Sequence, residues 1–131
     1  MHGLLKRRIE YTVILKDMKK VEGKVSVAEL SEMAEKMYGN LVKGVVDIEK
    51  NILVVDAEMH ADEEQFLLEN DSHQQSLWGI NLYPEKFGTD DFVEFDSMIN
   101  IRPRQQNMSR GVENEDMRRR IIALVHEKVQ A

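Results

Sequence analysis

Leu41-Val42-Lys43-Gly44-Val45-Val46-Asp47-Ile48-Glu49-Lys50-Asn51-Ile52-Leu53-Val54-Val55-Asp56-Ala57-Glu58-Met59 decides the fold. Two runs rich in β-branched residues flank the polar stretch Glu49-Lys50-Asn51, the pattern of a β-hairpin. A turn at Lys50-Asn51 places Val42, Gly44, Val46 and Ile48 on one face with Leu53, Val55, Ala57 and Met59. The opposite face then carries Lys43, Val45, Asp47, Val54, Asp56 and Glu58, with Lys43 across from Glu58. A slip of one residue would turn the charges into the apolar side, so the choice of face is strongly specified.

Upstream, Ser26 and Glu29 have the spacing of a capping box, in which hydroxyl and carboxylate each satisfy a backbone N–H left open at a helix start. Leu30, Met33, Ala34, Met37 and Leu41 recur at helical spacing, and Gly39 is suited to end that helix. Further upstream, Ile9, Tyr11, Val13 and Leu15 alternate as in a strand over 9–16, and Lys16–Lys24 reads as a charged connector. Downstream, Asp62 is placed to cap a short helix reaching Glu69, with Glu63 and Glu64 suiting its positive end. Leu77–Tyr83 reads as a strand, and Phe92–Arg102 alternates as one long strand. In that strand Val93, Phe95, Ile99 and Ile101 would face in, with Ser97 among them, and Glu94, Asp96, Met98, Asn100 and Arg102 out. Asn114 is placed to cap a last helix with the stripe Met117, Ile121, Val125 and Val129.

The order is β-α-β-β-α-β-β-α. It implies an α+β two-layer sandwich with a mainly antiparallel sheet of four or five strands and about three helices, the helices covering one face. The chain of 131 residues fits one domain, 1–131, with 1–24 as a possible N-terminal extension.

The strings Lys43-Gly44-Val45-Val46-Asp47-Ile48-Glu49, Glu58-Met59-His60-Ala61-Asp62, Leu77-Trp78-Gly79-Ile80-Asn81-Leu82-Tyr83-Pro84 and Ile99-Asn100-Ile101-Arg102-Pro103 resemble, in this order, a small family of prokaryotic proteins catalogued as a domain of unknown function. The resemblance runs over roughly 25–128. It implies a cytoplasmic prokaryotic protein and carries no activity, substrate or catalytic residue with it.

With no cysteine, disulfide frameworks and thiolate metal sites are excluded. No apolar run has the length of a signal peptide or of a membrane span, which leaves the cytoplasm as the expected compartment. The net charge of −6 argues against general nucleic-acid binding. The charges are segregated: 47–96 holds fourteen acids and two bases, 1–25 seven bases and three acids, and the chain from Arg102 seven bases and four acids. The basic ends are therefore expected to fold back on the acidic middle, or to meet the middle of another copy in a homo-oligomer.

The polar sheet face supplies the candidate site. On a continuous strand Asp56, Glu58 and His60 would align at i, i+2 and i+4. They could there hold a divalent metal or work as an acid–base set. Asn81, Tyr83, Asn100 and Arg102 could orient a small anionic ligand. The plain alternative is a solvated face with surface ion pairs worth up to about 1 kcal/mol each. Arg104, Arg110, Arg118, Arg119 and Arg120 invite an RNA reading, but no aromatic residue interleaves with them to stack bases. The favoured reading is a non-enzymatic binding or interaction domain that pairs with itself through its open sheet face or an edge strand. The alternatives are a small metal-dependent or acid–base enzyme and, more weakly, RNA contact.

Overall fold

The structure, a computed structural model, describes residues 18–131; the strand expected over 9–16 and His2 lie outside the described residues. The hairpin is β3 (Val42–Asp47) and β4 (Ile52–Val55). Its faces are those read from the alternation, but its register is displaced by two residues: Val46 faces Leu53 and Gly44 faces Val55. The cause is the turn. Ile48–Asn51 forms a four-residue loop in place of a tight turn at Lys50-Asn51. Asp47 Oδ1 accepts from the Lys50 N–H at 2.9 Å, and Asn51 adopts a left-handed conformation (φ 58°). A displacement of two residues keeps every side chain on its face, so the alternation cannot detect it. It does undo the expected pairing of Lys43 with Glu58, because β4 ends at Val55 and Lys43 instead lies opposite Asn81.

Five antiparallel strands form the main sheet, in the order β1 (Lys19–Lys20), β4, β3, β5 (Leu77–Leu82), β6 (Val93–Glu94). A second, two-stranded sheet pairs β2 (Val25–Ser26) in parallel with β7 (Val129–Gln130). It ties the start of α1 (Val27–Met37) to the end of α3 (Glu115–Lys128). The two helix starts form as their caps imply. Ser26 Oγ accepts from the Glu29 N–H at 3.1 Å while Glu29 Oε1 accepts from the Ser26 N–H at 3.2 Å, and Asn114 Oδ1 accepts from the Met117 N–H at 2.9 Å.

The larger core lies on one face of the sheet. Val42, Val46, Leu53, Val55, Ile80 and Leu82 meet Leu30, Met33 and Ala34 of α1 and Ile121, Leu124 and Val125 of α3. The other face is covered too. Val45, Val54 and Leu77 pack there against Leu67 of α2 (His60–Glu69), with Phe66 and Ile99 beside them. The expectation that all helices lie on one side of an open polar face is thus corrected. Val45, Val54 and Leu77 supply enough apolar surface on the second face to hold a helix, at roughly 25 cal/mol per Å² removed from water. Among the described residues no helix is long and apolar enough to cross a membrane.

The long strand expected over Phe92–Arg102 is also corrected. Pairing with β5 ends at Glu94, and Met98–Asn100 and Pro103–Gln105 form short 3-10 turns. The expected inside and outside are reversed at its end: Asn100 and Arg102 are buried, while Ile101 is 38% exposed. The carboxamide of Asn100 takes the place of the missing strand. Its Oδ1 accepts from the Gly79 N–H at 2.8 Å and its Nδ2 donates to the Gly79 carbonyl at 2.9 Å. Gly79 is required for this approach, since a Cβ there would lie 2.6 Å from both Cβ and Oγ of Ser97. Gly79→Ala should therefore cost about 1–3 kcal/mol through overpacking. Adding Ser97→Gly, which removes the obstructing atoms, should recover much of the loss. Urea unfolding of the three proteins checks this; an unchanged midpoint for Gly79→Ala would contradict the packing described.

Candidate functional site

The residues singled out from the sequence fall into two groups, which approach each other where the side chain of His60 meets that of Asn81. Asp56, Glu58 and His60 belong to the connection between β4 and α2. They are not aligned on a strand, because Asp56 takes a left-handed conformation (φ 71°) that ends β4. The helix then begins at His60, with Met59 rather than Asp62 as its cap. Asp56 is buried, with Oδ2 on Lys36 Nζ at 3.1 Å and Oδ1 without a partner among the described residues. Glu58 is exposed, and its carbonyl accepts from the Tyr38 hydroxyl. His60 is buried and its Nε2–H donates to the Ile80 carbonyl at 2.8 Å. Burial lowers its pKa below the usual imidazole value, with the Ile80 hydrogen bond acting in the opposite direction. Among the described residues no three histidine or carboxylate side chains gather in an arrangement suited to a metal ion.

Asn81, Tyr83, Asn100 and Arg102 form the second group, and most of their polar atoms are engaged by the protein. Asn81 Nδ2 and the Tyr83 hydroxyl both donate to Glu94 Oε1, each at 2.9 Å. Burial, followed by Glu94, raises the pKa of Tyr83. Asn100 is consumed by Gly79 and by the Arg110 carbonyl at 2.9 Å. Arg102 lies over the Trp78 ring, 4.1 Å from its centroid, and donates to the Gln74 and Leu77 carbonyls, fastening its loop to the start of β5. The four do not converge on a shared cavity. They hold the backbone of the second face.

Two neighbouring residues carry more of the local chemistry than the pattern of the sequence suggests. Asp47, expected on an open face, is fully buried, and it accepts from Ser72 Oγ at 2.6 Å as well as from the hairpin turn. Glu63, readable only as one of several acids at a helix start, is also fully buried. Its Oε2 accepts from the Ala57 N–H at 3.1 Å, which secures the backbone just after the left-handed Asp56. Burial pushes the Glu63 carboxyl well above the usual carboxylate range, and the nearby Asp56 and Asp62 act in the same direction.

Around this connection two surface grooves open. One, of about 540 Å³, is lined by the apolar Met37, Tyr38 and Ala57 and the charged Lys36, Glu58 and Asp62. The other, of about 520 Å³, is lined by Glu29, Glu32, Glu35, Lys36, Met33 and Asp56. Lys36 borders both, and its charge is taken up by Asp56. Met37, Tyr38 and the neighbouring Met59 remain exposed beside the acids, with Met59 at 52%. The combination is an apolar patch set in negative potential, suited to a segment bearing apolar side chains and cations. The sequence marks Met37 as part of a helix stripe but holds no local signal that the helix overhangs the sheet there.

Two of the five arginines in the series, Arg110 and Arg119, are ion-paired among the described residues. Arg110 Nε pairs with Asp96 at 2.6 Å, and Arg119 pairs with Glu115 and Asp116 at 3.1 and 3.2 Å. Arg118 donates to the carbonyls of Val112 and Glu113.

The buried Glu63 yields a prediction with a definite sign. Its pKa is higher in the folded than in the unfolded chain. As pH rises through the ordinary carboxyl range the unfolded chain ionises first, and the folded state loses stability relative to it until its own raised pKa is passed. Glu63→Gln keeps an acceptor for the Ala57 N–H and cannot ionise. The variant should gain stability over the parent as pH rises from about 4 to 7, and should show no such gain at the acid end. Parallel thermal unfolding across that range measures it; identical pH profiles would show that Glu63 is not the desolvated group described.

No curated protein and no solved structure matched the chain. A family match covers residues 19–128, which takes in the edge strand β1 ahead of the boundary expected near residue 25. The matched family is described as Protein of unknown function (DUF5674), and this chain belongs to it.

Proposed function

We propose that the chain is a cytoplasmic interaction domain whose working surface is the acidic, apolar groove between the end of α1 and the β4–α2 connection. The observation that carries this reading is the exposure of Met37, Tyr38 and Met59 beside the carboxylates of Glu58 and Asp62, which have no ion-pair partner among the described residues. Solvent-facing apolar side chains grouped in this way are a recognition feature, and methionine adapts its shape to varied occupants. The occupant is a short protein segment that offers methionine-, isoleucine- or leucine-like side chains flanked by arginine or lysine. Apolar contact supplies affinity, and the carboxylates select for cations and speed encounter.

Self-pairing through an open sheet face loses its motivation, since Phe66 and Leu67 of α2 and Ile99 pack against that face. The enzyme reading with Asp56, Glu58 and His60 as a divalent-metal or acid–base set loses the strand alignment that motivated it. Asn81, Tyr83, Asn100 and Arg102 serve this domain as the frame of its second face.

Calorimetric titration of the full chain with a synthetic peptide alternating methionine and arginine tests the groove. A control peptide carries glutamate in place of arginine. The first should bind, more weakly as salt rises, and the second should not. Loss of binding in Tyr38→Ala would assign it to the groove. Equal binding of both peptides, or none by the first, would overturn the reading.

A further inference from the structure

A second feature of the surface complements that groove and lies too far round the molecule to reach it. The Arg102–Asn107 antiparallel bridge makes Ile101 and Met108 the next pair outward. The Ile101 N–H donates to the Met98 carbonyl at 3.2 Å, so Met98 sits one turn away. Met98 and Met108 are 64% and 65% exposed and Ile101 is 38% exposed, three apolar side chains at the exposed tip of one loop. Arg104 lies in the turn between the two sides of the bridge, exposed and without a partner among the described residues.

The loop that carries this tip is held from within. Asn107 Nδ2 donates to the carbonyls of Asn100, Ser109 and Gly111 at 2.7, 3.2 and 2.8 Å, and its Oδ1 accepts from the Glu113 N–H at 2.9 Å. Asn100 in turn is bonded to Gly79. A loop backbone fixed this firmly loses little conformational freedom when it meets a partner, so only the side chains of the methionines remain to be ordered.

We infer that the occupant of the groove is the Met98–Met108 tip of a second copy of this chain, an inference that rests on the groove reading above. Arg104 of the incoming tip supplies the cation for Glu58 and Asp62, and the methionines supply the apolar contact for Met37 and Tyr38. Within one molecule the two surfaces stand at opposite ends of the strands. The tip is fastened at the Leu77 end of β5, which pairs with the Asp47 end of β3, whereas the groove lies where β4 has ended past Val55 and β3 begins. The contact therefore joins different surfaces on the two copies. Such a heterologous contact repeats into a ring or a filament rather than stopping at a two-fold dimer.

This head-to-tail arrangement has a distinctive test. Met37→Glu alters the groove and Met108→Glu alters the tip, both at exposed positions, with circular dichroism confirming that each variant folds. In sedimentation velocity the parent chain should form oligomers beyond the dimer that weaken with salt. Each variant alone should be monomeric. An equimolar mixture of the two should form dimers and nothing larger, because it contains one intact groove and one intact tip. A parent chain that is monomeric at every concentration, or a mixture that stays monomeric, would overturn the inference. If the methionine–arginine peptide binds in either of those cases, self-recognition fails while the groove reading stands; if it does not, the groove reading fails as well.

Discussion

The pairing of the Asn100 carboxamide with both backbone groups of Gly79 is the constraint on which the second half of the molecule depends. An edge strand continued past Glu94 would have satisfied Gly79 with backbone and left the second face open. Here a side chain does so, and the main chain is free to leave the ladder and fold across that face. Ser97 then occupies the space a side chain at position 79 would fill, and Ile99 joins the small core beneath α2. Arg102 closes the same end by reaching the carbonyls of Gln74 and Leu77 while lying on Trp78. Losing one partner of a buried hydrogen bond costs about 1–3 kcal/mol because the other is stranded, so a network of this kind stands or falls together.

The same economy governs the polar residues around α2. Asp47 joins the hairpin turn to Ser72, Glu63 holds the N–H of Ala57, and His60 holds the carbonyl of Ile80. Each costs desolvation free energy, which is why the Glu63 and His60 pKa values move toward their neutral forms. Each is offset by a backbone group that would otherwise lack a partner. Titratable groups buried in this way resemble catalytic ones in their shifts, but the partners here are backbone atoms of the fold. The accessible chemistry lies nearby on the surface, in the carboxylates of Glu58 and Asp62 and the apolar side chains beside them.

Much of the architecture was legible in local pattern. The Ser26–Glu29 box and the Asn114 cap mark two helix starts because capping is decided within four residues. The faces of β3, β4 and β5 follow from alternation. The site was less legible. His60 was placed beside Asp56 by assuming that a strand continued, and the left-handed turn at Asp56 depends on Glu63 reaching back to Ala57. The exposure of Met98 follows from the alternation of Phe92–Arg102, whereas the burial of Asn100 and Arg102 was hidden because that stretch alternates as well as any strand does.

The sequence by itself determined the α+β class, the starts of α1 and α3, and which side of each central strand a side chain takes, because these depend on periods of two to four residues. Tertiary structure decided what covers the second face, where β4 and β6 end, and which polar residues are withdrawn from solvent. Those outcomes depend on which distant group satisfies a given N–H or carbonyl once water is removed. Asn100 supplies the group for Gly79 and Glu63 the group for Ala57. The hairpin register falls between the two levels: alternation chose its faces, and the Asp47–Lys50 hydrogen bond in a four-residue loop chose its alignment.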